Sequence, residues 1–230
     1  MGGATDSDPG AGRRAELSRF GRKVVARGLA AGPGGNLSAR VGGLVFASPS
    51  GYPLDEIADD EWVEVDLATG EPGPGPRPTS EIAMHLGVYR VREDVRAVVH
   101  THPPVAIGVT AAGIAEIPFM FPDQVAIVGR VPCLGYIVPC SSELADAVAE
   151  AFRDPAVNGL LLRNHGLVTV GANLREAYAR TEVMEDAARV YWIAASLGRP
   201  LTLGEEDVRR VANLEAEKYR QHLLRGQVGA

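Results

Sequence analysis

Apolar positions along the chain switch between two periods, and the switches divide it into elements. Leu17, Phe20, Val24 and Val25 recur at helical spacing and predict a helix from Arg13 to about Ala31. The glycine-rich segment AGPGGNLSAR interrupts that pattern and reads as a loop. GLVFASPSG is a short β-rich run ending in a turn, Asp55 to Trp62 a short helix, and WVEVDLATGE an alternating strand. After the Pro/Gly loop EPGPGPRPTSE, Thr79 and Ser80 are cap candidates for a helix from Glu81 to about Arg92. Ile82, His85, Leu86 and Tyr89 share one side of it.

VRAVVHTH predicts a strand, residues 103–113 a helix, VAIVGRVPCLGYI further short strands, and Glu143 to Phe152 a helix. GLLLRNHGLVTVG reads as two apolar strands bent at Asn164, His165 and Gly166. Leu174, Ala177, Tyr178, Met184, Ala188 and Tyr191 mark the apolar side of a long helix from Asn173 to about Leu197. A last helix covers roughly Glu205 to Arg225. This irregular alternation predicts a single α/β domain over residues 13–226 with a mixed or antiparallel central sheet. Residues 1–12, small, polar and Gly-rich, are expected to be a disordered tail.

Composition narrows the class without naming a function. The 230 residues carry a formal net charge of −6 and no basic stripe, which argues against nucleic acid as a partner. No apolar run approaches the length of a membrane span, so no membrane partner is expected. The N-terminus lacks the apolar stretch of a secretory leader, and Asp6 stands where a myristoylation pattern needs Ser or Thr. The expected compartment is the cytoplasm. Cys133 and Cys140 lie in apolar, strand-like segments and are expected to be buried, reduced thiols.

The chemistry starts at AVVHTHPP. His100 and His102, two apart in a strand, point to one face. A lone histidine there would be an ordinary core residue; a same-face pair raises a metal question. His165, again at the end of an apolar strand and beside a glycine, supplies a third imidazole. Three nitrogens at strand ends match a catalytic zinc site with one open position, and the same donors suit iron or nickel. Glu81 at a helix start is either a dipole-stabilised carboxylate or a base beside the ion. His85, one turn later, is read as core or as a support behind the ligands. Three turns offer contacts for an anion: Asn36 and Ser38 in GGNLS, Ser50 and Gly51 in SPSGYP, and Thr79 and Ser80 in PTSE. Arg40 and Arg163 are candidate cationic helpers. With a metal, these turns suggest a phosphate-ester pocket.

The motifs GGNLSAR, ASPSGYP, PTSEIAMHLGVYR, AVVHTHPP and LLLRNHGLVTVG, in this order, resemble the class II aldolase/adducin family over about residues 14–220. The resemblance implies a three-layer α/β/α fold around a largely antiparallel sheet. It also implies a homotetramer with active sites at subunit interfaces. By motif match, His100, His102 and His165 would hold Zn²⁺, or another divalent ion such as Fe²⁺, Mn²⁺, Co²⁺ or Ni²⁺. Glu81 would be a fourth resting ligand and the acid/base of turnover. Asn36, Ser38, Ser50, Gly51, Thr79 and Ser80 would cradle the substrate phosphate. The implied activity is that of a lyase. It makes or breaks a C–C bond in a small phosphorylated hydroxyketone, such as a fuculose-1-phosphate-like sugar, through an enediolate whose charge the metal stabilises.

One departure bears on the reaction. Fuculose phosphate aldolases carry a Tyr after the His-x-His strand that acts on the aldehyde oxygen. The corresponding segment here, IPFMFPDQ, offers Phe119 or Phe121, which cannot donate a proton. Asp123 is the nearby substitute, and Tyr219 matches a second family Tyr from a neighbouring subunit's C-terminal tail. Decarboxylation of a sugar-acid phosphate or a dihydroxylated aromatic acid on the same fold needs no such donor and is the alternative. A third possibility, of another class, is a non-catalytic adducin-like binding domain. Against it stand the three histidines.

Overall fold

A computed structural model describes residues 10–226; most of the expected N-terminal tail therefore lies outside the described residues. Within that range seven strands form one sheet: β1 (Asn36–Val41), β2 (Leu44–Ala47), β3 (Val63–Asp66), β4 (Ala97–Thr101), β5 (Cys133–Leu134), β6 (Gly159–Leu162) and β7 (Gly166–Gly171). Their order is β3-β2-β1-β4-β7-β6-β5. Every pairing is antiparallel except β5 with β6. β4, which carries the His-x-His motif, sits at the centre.

Alternation along the strands decides which helices cover which face. Val98, Leu160, Leu162, Val168 and Val170 point into a core shared with α2 (Ile82–Val91) and α4 (Ser142–Ala151). Ala97, Val99, Leu161 and Leu167 point the other way. There they meet α1 (Ala11–Ala26), α3 (Pro104–Ala111) and α5 (Leu174–Leu197). The fold is thus α/β, with a mostly antiparallel sheet between helical layers. α6 (Glu205–Ala212) and α7 (Glu215–Arg225) follow at the end.

Several elements differ from the sequence expectation. α1 starts at Ala11, inside the expected tail, and ends at Ala26, where Gly28 takes a positive φ of 68°. NLSARV is not a loop but β1, paired on both sides. Asp55–Trp62 contains only a three-residue 3₁₀ turn, Asp59–Glu61. The apolar QVAIV forms a π-helical turn, Gln124–Val128, packed on α5 rather than a strand. The last helix is two, separated at Asn213 and Leu214. Both cysteines are free, but only Cys133 is partly buried; Cys140 is exposed, with a φ of 62°.

Candidate metal centre and substrate pocket

The site lies where β4 ends. His100 is the fourth residue of that strand, fully buried, paired across to Asn36 on one side and Val168 on the other. His102 follows the strand, its backbone N–H tied to the Leu29 carbonyl, before Pro103 and Pro104 turn the chain into α3. His165 comes from the three-residue turn between β6 and β7, where Asn164 takes the left-handed conformation (φ 57°) and Leu162 pairs with Gly166. Asn tolerates that region better than most residues. Gly166 is required by closeness: a Cβ there would stand 2.3 Å from the Thr101 carbonyl oxygen and 3.0 Å from Cδ2 of His102.

The three imidazoles converge, with one ligand atom from each lying within 4.8 Å of the others. Nδ1 of His100 is 3.1 Å from the Leu167 carbonyl, to which it donates. Nε2 of His100 faces the site, with Nε2 of His102 3.1 Å away. Nitrogens around a tetrahedral Zn²⁺, with bonds of about 2.0–2.1 Å, stand roughly 3.3–3.4 Å apart. Glu81, immediately before α2, completes the group: Oε2 is 3.1 Å from Nε2 of His100, and Oε1 is 3.4 Å from Nε2 of His165. Oε1 is buried without a hydrogen-bond partner. The donor set, the converging ring nitrogens and the orphaned oxygen all fit a divalent cation.

Electrostatics support the same arrangement. Burial lowers the pKa of His102 to about 4, with the charges of His100 and His165 adding to the effect. His165 is lowered as well, first by burial and then by His100. Both rings are therefore neutral, metal-binding forms at physiological pH. Burial works against the Glu81 charge. The hydrogen bond and charge of His100, the Asn36 amide and His165 outweigh it, holding the carboxyl well below its usual range. Glu81 is thus a buried, ionised carboxylate.

A pocket of about 260 Å³ opens beside these residues. Ser50, Gly51, Thr79 and Ser80 line it together with Glu81, His102 and His165. Asn36 lines it too, but its side chain is committed, Nδ2 donating to Glu81 Oε2 at 2.9 Å. Its backbone is inside the sheet, not a free loop donor. Ser38 does not reach the pocket. It is fully buried and bonded to Nδ1 of His85 (2.7 Å) and the Tyr89 hydroxyl (2.8 Å). As the third residue of β1 it points away from the turn that was expected to present it. Arg40 donates to the Gly42 and Tyr89 carbonyls, and neither it nor Arg163 lines the pocket. Among the described residues the wall holds no Lys or Arg.

Two other expected residues lie elsewhere in the single chain. The Asp123 carboxylate pairs with Arg220 at 2.7 Å, half exposed, and does not line the pocket. Tyr219 on α7 is 58% exposed and likewise outside it. Sequence reasoning missed Gly34, Gly35, Pro139 and Cys140 in the wall. The two glycines carried a signal: a Cβ at Gly34 would lie 2.9 Å from Nδ1 of His102, and one at Gly35 2.9 Å from the His100 carbonyl oxygen.

The family of the class II aldolase and adducin N-terminal domain matches residues 15–192. A 5-deoxy-D-ribulose 1-phosphate aldolase of Bacillus thuringiensis serovar kurstaki is 37% identical over 203 residues, covering 86% of this chain and 93% of the relative. A 3-oxo-tetronate 4-phosphate decarboxylase of Pectobacterium atrosepticum is 35% identical, over 78% of this chain and 84% of its own. Among solved structures, YgbL of Escherichia coli superposes with a TM-score of 0.81 at 28% identity, covering 88% of this chain and 99% of YgbL.

Proposed function

The chain belongs to the class II aldolase and adducin family, and from that premise we propose that it is a zinc-dependent aldolase acting on a small ketose 1-phosphate. The family and the named relatives make it a lyase. One observation carries the finer reading: three imidazoles and one buried carboxylate meet at the mouth of a pocket walled by hydroxyls.

A divalent ion on His100, His102 and His165 would supply a Lewis acid for the substrate carbonyl and a counter-charge for the oxygens beside it. The chain's own residues do the rest. The hydroxyls of Ser50, Thr79 and Ser80 and the backbone at Gly51 hold the phosphate, fixing the ketose so that its C3–C4 bond is aligned. Cleavage moves that bond's electron pair onto C3, giving the enediolate of dihydroxyacetone phosphate, and the C4 hydroxyl becomes an aldehyde as it loses its proton. Glu81 handles the proton at C3. A second copy of the chain provides the group at the aldehyde oxygen, Asp123 or Tyr219, since neither reaches the pocket of its own chain. The active unit is on this reading a homo-oligomer, a tetramer by family resemblance.

Placing Asp123 and Tyr219 outside the pocket also favours a second reading. A decarboxylase of a sugar-acid phosphate needs no donor at an aldehyde oxygen, and the Pectobacterium relative bears such a name. One assay separates the two. Zinc-loaded protein is incubated with 5-deoxyribulose 1-phosphate and with 3-oxo-tetronate 4-phosphate. Dihydroxyacetone phosphate from the first supports the aldolase; CO₂ from the second alone refutes it in favour of the decarboxylase.

A further inference from the structure

Behind Glu81 runs a polar chain that the reaction above leaves unused. Glu81, His85 and Tyr89 are spaced by four residues along α2, a rise of about 6 Å per step. Asn36 and Ser38 are spaced by two along β1, a rise of about 6.6 Å. The two stripes match, and their side chains interleave. Tyr89 hydroxyl meets Ser38 Oγ at 2.8 Å, and Ser38 Oγ meets His85 Nδ1 at 2.7 Å. His85 Nε2 meets Asn36 Oδ1 at 2.6 Å, and Asn36 Nδ2 meets Glu81 Oε2 at 2.9 Å.

The direction of every bond follows from its last acceptor. An ionised carboxylate only accepts, so Asn36 turns its amide nitrogen to Glu81 and its oxygen to His85. Nε2 of His85 must then carry hydrogen. The ring is fully buried, which pushes its pKa down to about 3 and keeps it neutral. A neutral ring protonated at Nε2 accepts at Nδ1, so Ser38 donates there and Tyr89 donates to Ser38. A flipped Asn36 would set oxygen against carboxylate and NH₂ against N–H. The result is asymmetric: Oε2 of Glu81 is held by Asn36, whereas Oε1 has no hydrogen-bond partner.

We propose that His85 is a positioning residue: its Nε2–H orients the Asn36 amide, which fixes the Glu81 carboxylate in the pose the reaction needs. This rests on the assignment of Glu81 as acid/base above. Two near-isosteric replacements separate positioning from mere core filling. His85→Gln keeps a donor where Nε2 lies, toward Asn36. His85→Asn keeps polarity only where Nδ1 lies, toward Ser38. Deuterium exchange into dihydroxyacetone phosphate in D₂O, on zinc-loaded protein, reads proton transfer without needing the aldehyde.

The expected result is a kcat for exchange lowered about tenfold or more in His85→Asn, the worth of one hydrogen bond to a charged group, with KM within about twofold. His85→Gln retains most of the activity. Equal losses in both variants, tracking their loss of thermal midpoint, would overturn the proposal. A readout on metal-free wild-type protein is independent of turnover: imidazole ¹⁵N NMR should show one neutral ring, absent from His85→Gln, protonated at Nε2. The Nδ1–H tautomer there would refute it outright. Glu81→Gln is the control for the underlying reading. If it exchanges at the wild-type rate, the acid/base assignment itself has failed; if it is dead while His85→Asn is fully active, only the positioning role has.

Discussion

The two halves of the proposed active site are built differently. The candidate metal donors come from the centre of the sheet: His100 within β4, His102 at its end, His165 on the turn into its neighbour β7. Each is fixed by strand pairing, a backbone bond or a close glycine, and Glu81 is anchored through Asn36 from the next strand. Asp123 and Tyr219 occupy the opposite situation. They sit at a loop end and on the last described helix, Asp123 half exposed and Tyr219 exposed, and Asp123 is held by a surface ion pair with Arg220. Such pairs are worth about 1 kcal/mol or less. On the proposed reading, one chain finishes the half that must hold a charged centre rigidly, and a second copy completes the other.

The largest effect should come from breaking the rigid half. His102→Ala removes one of three nitrogens. We expect less than one equivalent of metal by elemental analysis and an activity loss on the order of a thousandfold, the several kcal/mol a Lewis acid supplies. Next comes Glu81→Gln, which keeps the shape and the Asn36 contact but cannot accept a proton. A loss of about 10²–10⁴-fold with metal content unchanged is expected; turnover at the wild-type rate would remove Glu81 from the mechanism.

The same division explains what could be read from sequence. β4, β6 and β7 were legible because their apolar runs are buried on both faces, and the histidines stood out against them. β1 was not. Its inward positions Asn36 and Ser38 are polar where a core-facing strand should be apolar, and the ladder with His85 and Tyr89 that satisfies them is invisible without the fold. Reading β1 as a loop then misassigned Ser38 to the phosphate pocket. The QVAIV segment failed for another reason: a short apolar run has no period to tell strand from helix. Asp123 and Tyr219 rest on motif resemblance, and nothing in the local pattern says where a surface loop and the last helix will end up.

Acid should separate the halves by stability. Burial pushes the pKa of His85, fully buried, down to about 3 and that of His102, partly buried, down to about 4, against 6.5 for a free ring. Below 6.5 the unfolded chain binds protons that the native one refuses, so this stability is complete above that value and is lost as pH falls toward about 4 for His102 and about 3 for His85. Glu81, depressed in the fold, extends the loss below pH 4.5. Between pH 7 and pH 5, His85 should cost the metal-free protein about 2 kcal/mol, and the partly exposed His102 less, as read by urea unfolding. The Asp123–Arg220 pair should respond to salt instead. A stability curve flat from pH 7 to 5 would mean the rings are not neutral and buried.

The smallest effect is the most informative about the unfinished half. Tyr219→Phe and Asp123→Asn each remove one candidate proton carrier without touching the imidazoles or the pocket. If either acts at the aldehyde oxygen, C–C cleavage should fall about tenfold, the low end for loss of a general acid–base group or of a hydrogen bond to developing charge. Deuterium exchange into dihydroxyacetone phosphate, which uses only the rigid half, should not change. Because both residues lie outside their own chain's pocket, the effect should also cross between chains. Mixed and reassembled with His102→Ala, the cleavage-impaired variant should regain activity, since some sites then pair an intact metal centre with an intact donor. Cleavage unaffected by both substitutions would remove Asp123 and Tyr219 from the mechanism and place the group at the aldehyde oxygen on another residue.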